Sequence, residues 1–268
     1  MNREDLACSL HTRLTQEPEY PELTCPGVDP PFTEKLLSAL GMLSQADLRD
    51  FFGISEKLGQ TVNEYYPYEG ELYPAWCWYT GEAFKYLDLP SLMKSLPLKA
   101  NRTIRILSAL YGMVSPMDTI QPYRLDFTLG QVPGFDGSAS LRQLWSSRVT
   151  ESLNKSVQDV QASFVLGAAS QEYESLVDPG RLHAPFIRAE FVQSHPRTGL
   201  PTRISARAKQ ARGMLARWVV QQDITPGSHG GELRDFFQDF TLDGYRMESW
   251  DKPKEGFWVV TYIQTSSG

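Results

Sequence analysis

The sequence is poor in the residues that cross-link a fold or bind metals. It has three cysteines among 268 residues, Cys8, Cys25 and Cys77, and this odd number at wide spacing argues against a disulfide framework. The four histidines form no metal-ligand spacing with one another or with the cysteines. We therefore expect reduced thiols and predict no metal site.

Long apolar runs are also missing. No stretch approaches the roughly 20 apolar residues that a membrane span needs, and the first residues (MNREDLACSLH) carry charges where a signal peptide would be apolar. We expect a cytoplasmic protein with no membrane partner.

Positive charge and standard enzyme motifs are scarce as well. The net charge of -6 and the pI of about 5.3 disfavour simple attraction to nucleic acid, so any such binding would need a local basic patch. There is no G-x-x-x-x-G-K-[ST], no G-x-G-x-x-G and no G-x-S-x-G. No cofactor is predicted, and an enzymatic activity stays open.

The composition that is present predicts an ordinary globular protein. Hydrophobic residues make up 41% and charged residues 22%, and the chain is long enough to bury a core. Residues 1–32 are rich in proline and show no sustained period, which predicts an irregular arm. Residues 33–268 are expected to form one compact α+β domain, a mixed sheet with packed helices and a helix-hairpin-helix-like element.

Periodicity places the main elements. Helical spacing begins at Glu34, and Ser44 followed by Asp47 resembles a capping box at the start of a second helix. Further helices are predicted over 51–66, 141–157, 206–222 and 233–240. Strands are predicted over 162–169, 187–192, 244–248 and 257–263, with hairpins around His195–Gly199 and at the C-terminus.

One segment, Glu71–Tyr86, is exceptionally aromatic. Aromatic side chains at such density form base-stacking platforms in some single-strand binding proteins. They also dominate hydrophobic cores, which is the interpretation that we favour here.

The stretch Ile106–Phe127 joins an apolar run to a polar cluster. A helix capped by Asn101 is expected to run to Met113 and, with the helix over 89–98, to form a helical hairpin ending at Gly112. The chain then turns at Ser115 and leaves through QPYRLD. Four basic residues stand just upstream, which predicts an anionic partner, either nucleic acid or a phosphorylated small molecule. They are Lys94, Lys99, Arg102 and Arg105.

Other charged residues are candidates for binding or proton transfer. The predicted helix over 206–222 carries Arg207, Lys209, Arg212 and Arg217, which could form a basic patch or a solvated face. The carboxylates of Asp126 and Glu172 each stand close to a tyrosine at a junction between elements, so they are candidates for acid–base chemistry. Alternatively, they are ion-pair partners of Arg124, Lys209 or Arg212.

Several motifs in order along the chain resemble a known family. They are ISEKL at 54–58, YTG at 79–81, ILSALYGMVSPMD at 106–118, QPYRLD at 121–126, LW at 144–145, AASQEY at 168–173, AKQARG at 208–213 and DGY at 243–245. From Thr33 onward the chain is similar to the YaaA family of bacterial peroxide-stress proteins. The resemblance implies a cytoplasmic α+β fold with a helix-hairpin-helix element, DNA binding and a role in limiting oxidative damage.

The chain departs from the family pattern at several basic or flexible positions. The usual N-terminal Ser-Pro-Ala-Lys-Thr segment has no equivalent before Thr33. Ala75 and Gln210 replace family lysines, Ala109 replaces a glycine, and Ser115 replaces an arginine.

Two hypotheses follow. In the first, the protein binds DNA without sequence specificity through the helical hairpin and a local basic patch. The residues assigned to this binding are Arg102, Arg105, Gly112, Arg124, Arg207, Lys209 and Arg212. In the second, it is an enzyme that holds an anionic, phosphorylated or carboxylated, small molecule between Arg124, Lys209, Arg212 and Glu172. Glu172, Asp126 and Tyr123 are then the candidate catalytic residues.

Overall fold

A computed structural model describes residues 27–134, 139–194, 201–202, 205–223 and 230–264. Most of the predicted N-terminal arm and the predicted turn at His195–Gly199 lie outside these residues. The predicted α+β class is confirmed. No helix in the described ranges combines the length and the hydrophobicity needed to cross a bilayer.

Helices and short strands alternate along the chain. The helices are α1 (Pro30–Gly41), α2 (Gln45–Phe52), α3 (Glu56–Asn63), α4 (Ala75–Trp78), α5 (Glu82–Leu87), α6 (Leu89–Ser95), α7 (Pro97–Thr103), α8 (Leu141–Asp159), α9 (Gln171–Glu174), α10 (Ser205–Gln221) and α11 (Gly230–Gln238). The strands are β1 (Tyr73–Pro74), β2 (Ile106–Ser108), β3 (Gly112–Val114), β4 (Thr119–Ile120), β5 (Val165–Gly167), β6 (Phe186–Ser194), β7 (Pro201–Thr202), β8 (Tyr245–Lys254) and β9 (Phe257–Gln264).

The chain divides into two compact units, each built from two separated stretches. The first unit comprises residues 1–79 and 104–149, and the second comprises residues 80–103 and 150–268. Because the chain passes from one unit to the other more than once, neither unit corresponds to one continuous segment of sequence.

Local capping explains where the first helices begin. The Asp29 side chain accepts the Phe32 N–H at the start of α1, where proline occupies the first helical position. At α2 the predicted capping box is present, since the Ser44 and Asp47 side chains each accept the other's backbone N–H. Gly53 ends α2 in the left-handed conformation. The faces that these helices bury carry leucine and phenylalanine side chains, including Leu36, Leu40, Leu48 and Phe52.

The predicted helix ending at Met113 is wrong. Strands β2 and β3 pair antiparallel, with Ile106 opposite Val114 and Ser108 opposite Gly112, so this stretch is a β-hairpin. The apolar spacing that suggested a helix instead reflects burial of almost every residue from Ile106 to Val114. Among the described residues, no helix-hairpin-helix element exists at Ala109–Ser115.

Gly112 has a packing role in this hairpin. Its φ of +71° is a left-handed conformation, and a Cβ there would lie 2.6 Å from the Trp145 ring. Trp145 is fully buried, and its indole Nε1 donates to the Ala109 carbonyl at 2.9 Å. Glycine is therefore required to let the tryptophan of α8 pack against the hairpin.

The second unit is built on a mixed sheet with the order β5-β6-β9-β8. Strands β5, β6 and β9 run parallel, whereas β8 is antiparallel to β9, which confirms the predicted C-terminal hairpin. Helices α10 and α11 cover one face, where Ile187 and Phe191 pack with Leu215 and Phe237 in the hydrophobic core. The buried Tyr262 hydroxyl donates to the Phe237 carbonyl at 2.7 Å.

The backbone of helix α10 packs closely against the backbone of α5 at Gly213. A Cβ on Gly213 would lie 2.1 Å from the Ala83 carbonyl oxygen. Gln210 donates to Glu82 at 2.8 Å, and Arg217 donates to the carbonyls of Leu87 and Asp88 at 3.2 Å each. The arginine thus satisfies carbonyl groups at the C-terminal end of α5.

We expect Gly213→Ala to lower the free energy of unfolding by about 2 kcal/mol or more, because the new methyl group must push two backbones apart. Urea denaturation measures this change. The matched control is Gly231→Ala, in α11, where an added Cβ meets no atom within 4 Å. That variant should be neutral or stabilised by up to about 1 kcal/mol. Equal stability of the two variants would contradict the close packing of α5 and α10.

Candidate functional site

In the first unit, tyrosine hydroxyls fix the backbone of the QPYR segment. The Tyr66 hydroxyl donates to the Arg124 carbonyl and accepts the Arg124 N–H, each at 3.0 Å. The Tyr111 hydroxyl accepts the Gln121 N–H at 3.2 Å. The Gln121 side chain donates to the Tyr65 carbonyl at 2.9 Å. The segment is therefore held at both ends by groups from distant parts of the sequence.

Tyr123, between these ends, belongs to a chain of hydroxyl groups. Its hydroxyl lies 2.8 Å from Ser108 Oγ and 2.8 Å from the Tyr79 hydroxyl. Ser108 Oγ accepts the backbone N–H groups of Leu110 and Tyr111 at 3.2 and 3.0 Å. Since both lone pairs of Ser108 are used, its proton goes to Tyr123, and Tyr123 in turn donates to Tyr79.

Burial sets the protonation state of these tyrosines. It raises the pKa of Tyr123 well above the usual value of 10, and the neighbouring Tyr79 adds to this effect. Burial also raises the pKa of Tyr111 to about 12. At neutral pH both hydroxyl groups keep their protons, so Tyr123 acts here as a hydrogen-bonding group.

Two other candidate functional residues of the first unit, Arg124 and Asp126, lie on the same segment. Asp126 Oδ1 accepts the Thr128 N–H at 2.9 Å and stabilises the turn that follows QPYR. The Arg124 side chain is half-buried, and no described residue hydrogen-bonds or ion-pairs with its guanidinium. The backbone of Arg124 is thus fixed while its charge stays available.

The second unit contains a small pocket of about 70 Å³ with two arginines and two glutamates. Arg188 and Glu190 come from β6, Arg212 comes from α10, and Glu174 comes from α9. Glu174 and Arg188 form an ion pair. The Arg212 guanidinium donates to the Ala169 carbonyl at 2.8 Å.

Packing supports the ion pair in this pocket. The Arg188 guanidinium lies 4.9 Å from the centre of the Phe257 ring, a cation–π contact. Burial raises the pKa of Glu174 above its usual value, and the hydrogen bond from Arg188 opposes this shift. Gly167 leaves room for the carboxyl group, since a Cβ there would lie 2.7 Å from the Phe186 ring and 3.1 Å from Glu174 Cδ.

Of the four residues predicted to form an anion pocket, Arg212 is the one that lines it. Glu172 lies on the same short helix as Glu174, and its Oε1 atom is buried with no partner in the described part of the chain. Lys209 is exposed on α10, and Arg124 belongs to the first unit.

Sequence reasoning missed Arg188, Glu190 and Glu174. A signal for the first two existed, because FIRAEF places two charges of opposite sign on one face of an otherwise apolar strand. Glu174 directly follows the AASQEY motif, two residues after Glu172, and no sequence pattern distinguishes it as a pocket residue.

The predicted basic residues fall into two groups. Some hold backbone carbonyls: Lys99 donates to Gln222 at 2.7 Å and Arg105 donates to Ile104 at 2.8 Å. Others are exposed, namely Lys94, Arg102, Arg207 and Lys209. Gly112 is buried against Trp145, so its backbone is not presented to a phosphate.

The aromatic segment lies mostly in the first unit and packs inside it. Trp76 is buried, and the Trp78 indole N–H donates to the Ile120 carbonyl at 3.1 Å. The rings of Tyr73 and Trp78 meet edge to face with centroids 6.1 Å apart. The favoured interpretation of this segment as core is confirmed for these residues.

Comparison with known proteins gives one family. The family model described as peroxide stress protein YaaA matches residues 7–250, a match that begins upstream of Thr33. A UPF0246 protein of Polynucleobacter necessarius is 32% identical over 220 residues, covering 79% of this chain and 80% of the relative. One from Dinoroseobacter shibae is 31% identical over 211 residues, covering 76% and 75%. One from Janthinobacterium is 28% identical over 247 residues, covering 89% and 87%.

We expect Tyr123→Phe to lower the free energy of unfolding by about 1–3 kcal/mol, because the buried Ser108 hydroxyl loses its acceptor. Tyr79→Phe leaves the Tyr123 proton without its acceptor and should cost a similar amount. The exposed Tyr86→Phe is the control and should change the stability by less than about 0.5 kcal/mol. Chemical denaturation measures all three values. The directional hydroxyl chain is refuted if Tyr123→Phe costs no more than Tyr86→Phe.

Buried tyrosines should also make stability fall at high pH. The Tyr111 pKa is near 10 when unfolded and about 12 when folded, so its contribution is fully present below pH 10 and is lost between pH 10 and 12. Tyr111→Phe should reduce the slope of unfolding free energy against pH by up to about 1.4 kcal/mol per unit in this window. The exposed Tyr86→Phe is the matched control. An unchanged slope in Tyr111→Phe would show that this hydroxyl ionises freely in the folded protein.

Proposed function

Because the chain belongs to the family of the peroxide stress protein YaaA, we propose that it serves the peroxide-stress response by binding DNA without reading its sequence. The residues that support binding are three exposed cations of the second unit, Arg102, Arg207 and Lys209. We further propose that it works in the cytoplasm, because its few, widely spaced cysteines do not suit an oxidising compartment.

The positions of these cations fit a duplex backbone. Arg207 and Lys209 lie in the first turns of α10, and Lys99 of α7 binds the Gln222 carbonyl just beyond the end of α10. Arg102 lies one turn from Lys99. The cations therefore flank both ends of a helix segment that spans about 20 Å, which corresponds to about six base pairs.

Several basic residues of this unit have partners within the fold, and Arg207 itself donates to Gln264 Oε1 at 3.1 Å. Arg217 contacts Leu87, Asp88 and Ser91, and Lys99 contacts Gln222 and Asp223. Gln210, at the position of a family lysine, hydrogen-bonds to Glu82 without adding charge. We therefore expect weak binding with few phosphate contacts.

A second candidate function is that of an enzyme or binder for an anionic small molecule. The observation that favours it is the pocket that holds Arg188 and Arg212 beside Glu174. In this proposal the arginines bind the anion, and Glu174, whose pKa is raised by burial, is the candidate for proton transfer.

For DNA binding we expect the logarithm of the affinity to fall with the logarithm of the salt concentration with a slope of about -2.7, which corresponds to three phosphate contacts. Fluorescence anisotropy with duplexes of unrelated sequence measures this slope. Replacing Arg102, Arg207 and Lys209 together by glutamine should bring the slope close to zero, whereas Lys252→Gln, on the exposed strand β8, should leave it unchanged. Equal affinity in the triple variant, or no binding at low salt, would contradict the proposal.

A further inference from the structure

The end of helix α1 carries an apolar side chain that the fold leaves in solvent. Met42 directly follows α1, and its exposed fraction is 84%. The buried face of the helix is made by other residues, including Leu36 and Leu40. Met42 lies two residues beyond Leu40 and keeps helical backbone angles, so it is turned about 200° around the helix axis from that leucine. Its side chain therefore points away from the core of the first unit.

The other methionines that the structure describes are shielded from solvent. Three are almost fully buried, with exposed fractions of 0, 5 and 1%: Met93, Met113 and Met117. Met214 and Met247 are partly buried against the core of the second unit. Among the described methionines, Met42 is thus by far the most accessible to a solute.

The oxidant that this side chain would meet follows from the family of the chain, which is described by peroxide stress. A methionine thioether reacts with hydrogen peroxide to give the sulfoxide. The sulfur lone pair forms a bond to one peroxide oxygen as the O–O bond breaks, and the departing hydroxide takes the proton of the transferred oxygen and leaves as water. Sulfur is oxidised and peroxide is reduced. Because sulfur and peroxide must touch, the exposure of the side chain controls the rate.

The backbone around Met42 is arranged so that the new oxygen would not disturb it. The N–H groups of Met42 and Leu43 donate to carbonyls of α1, each at 3.2 Å. The Ser44 N–H donates to Asp47 Oδ2 at 3.3 Å in the capping box of α2. These three donors are already satisfied, so a sulfoxide oxygen on Met42 accepts its hydrogen bonds from water. The end of α1 and the start of α2 therefore keep their hydrogen bonds.

We propose that Met42 is a site of peroxide modification, at which the thioether becomes a sulfoxide while the fold stays intact. The change is reversible, since methionine sulfoxide reductases return the sulfoxide to the thioether. This inference goes beyond the proposed function, and it requires neither DNA binding nor a ligand in the pocket of the second unit.

The experiment treats the folded full chain with dilute hydrogen peroxide and follows the described methionines by peptide mass spectrometry. Met42 is expected to gain an oxygen about tenfold faster or more than Met93, Met113 and Met117, because these react only after local opening of the fold. It should also react faster than the partly buried Met214 and Met247. In concentrated urea, which is the control, all of them should react at similar rates.

The variant Met42→Leu keeps an apolar side chain without sulfur. It should leave the oxidation rates of the other methionines unchanged, and the midpoint of thermal unfolding should be the same before and after oxidation at Met42. Treatment of the oxidised chain with a sulfoxide reductase should restore the original mass of the Met42 peptide.

Two results would overturn the inference. One is a buried methionine that reacts as fast as Met42 in the folded chain, or a Met42 that stays unmodified while Met214 or Met247 is oxidised. The other is an unfolding midpoint that falls on oxidation in the original chain but not in Met42→Leu, because the sulfoxide would then disturb the fold. The salt dependence of DNA binding is measured separately, so either proposal can fail without the other.

Discussion

The buried turn at Ala109–Tyr111 is the constraint on which the first unit depends. Every carbonyl of this turn has a partner from elsewhere: Trp145 binds that of Ala109, Thr33 that of Leu110, and Val28 that of Tyr111. Ser108 Oγ accepts two of its N–H groups. Buried backbone groups must be satisfied, so α1, α8 and the segment before α1 are all tied to one turn.

This turn also sets the chemistry of the QPYR segment. Both lone pairs of Ser108 Oγ accept N–H groups of the turn, so its hydroxyl proton is donated to Tyr123. The direction of the hydrogen bonds from Ser108 through Tyr123 to Tyr79 is thereby fixed. Tyr111, the last residue of the turn, presents its hydroxyl to Gln121. The most distinctive motif of the sequence is therefore positioned by a turn that the motif itself does not contain.

Sequence patterns correctly predicted the structural features that local interactions determine. They failed for features that depend on residues distant in the sequence. The capping box at Ser44 and Asp47 involves residues three apart and was predicted correctly. The hairpin at Ile106–Val114 was mistaken for a helix because Thr33 and Trp145, which satisfy its turn, are 77 and 36 residues away from their partners. Arg212 stood out as part of a basic run, whereas the charges of β6 were hidden in an apolar strand.

The same division explains why a basic run in an acidic protein need not form a single surface. On α10, Arg217 donates to carbonyls at the end of α5, and Arg212 donates to the carbonyl of Ala169, which lines the pocket of the second unit. Both arginines therefore make contacts within the fold. Arg207 and Lys209 stay exposed. The cations of this one helix thus lie in three environments: the contact with α5, the pocket that holds two arginines and two glutamates, and solvent. Since different side chains carry these roles, the proposed DNA binding and the proposed small-molecule binding of the second unit can be lost one at a time.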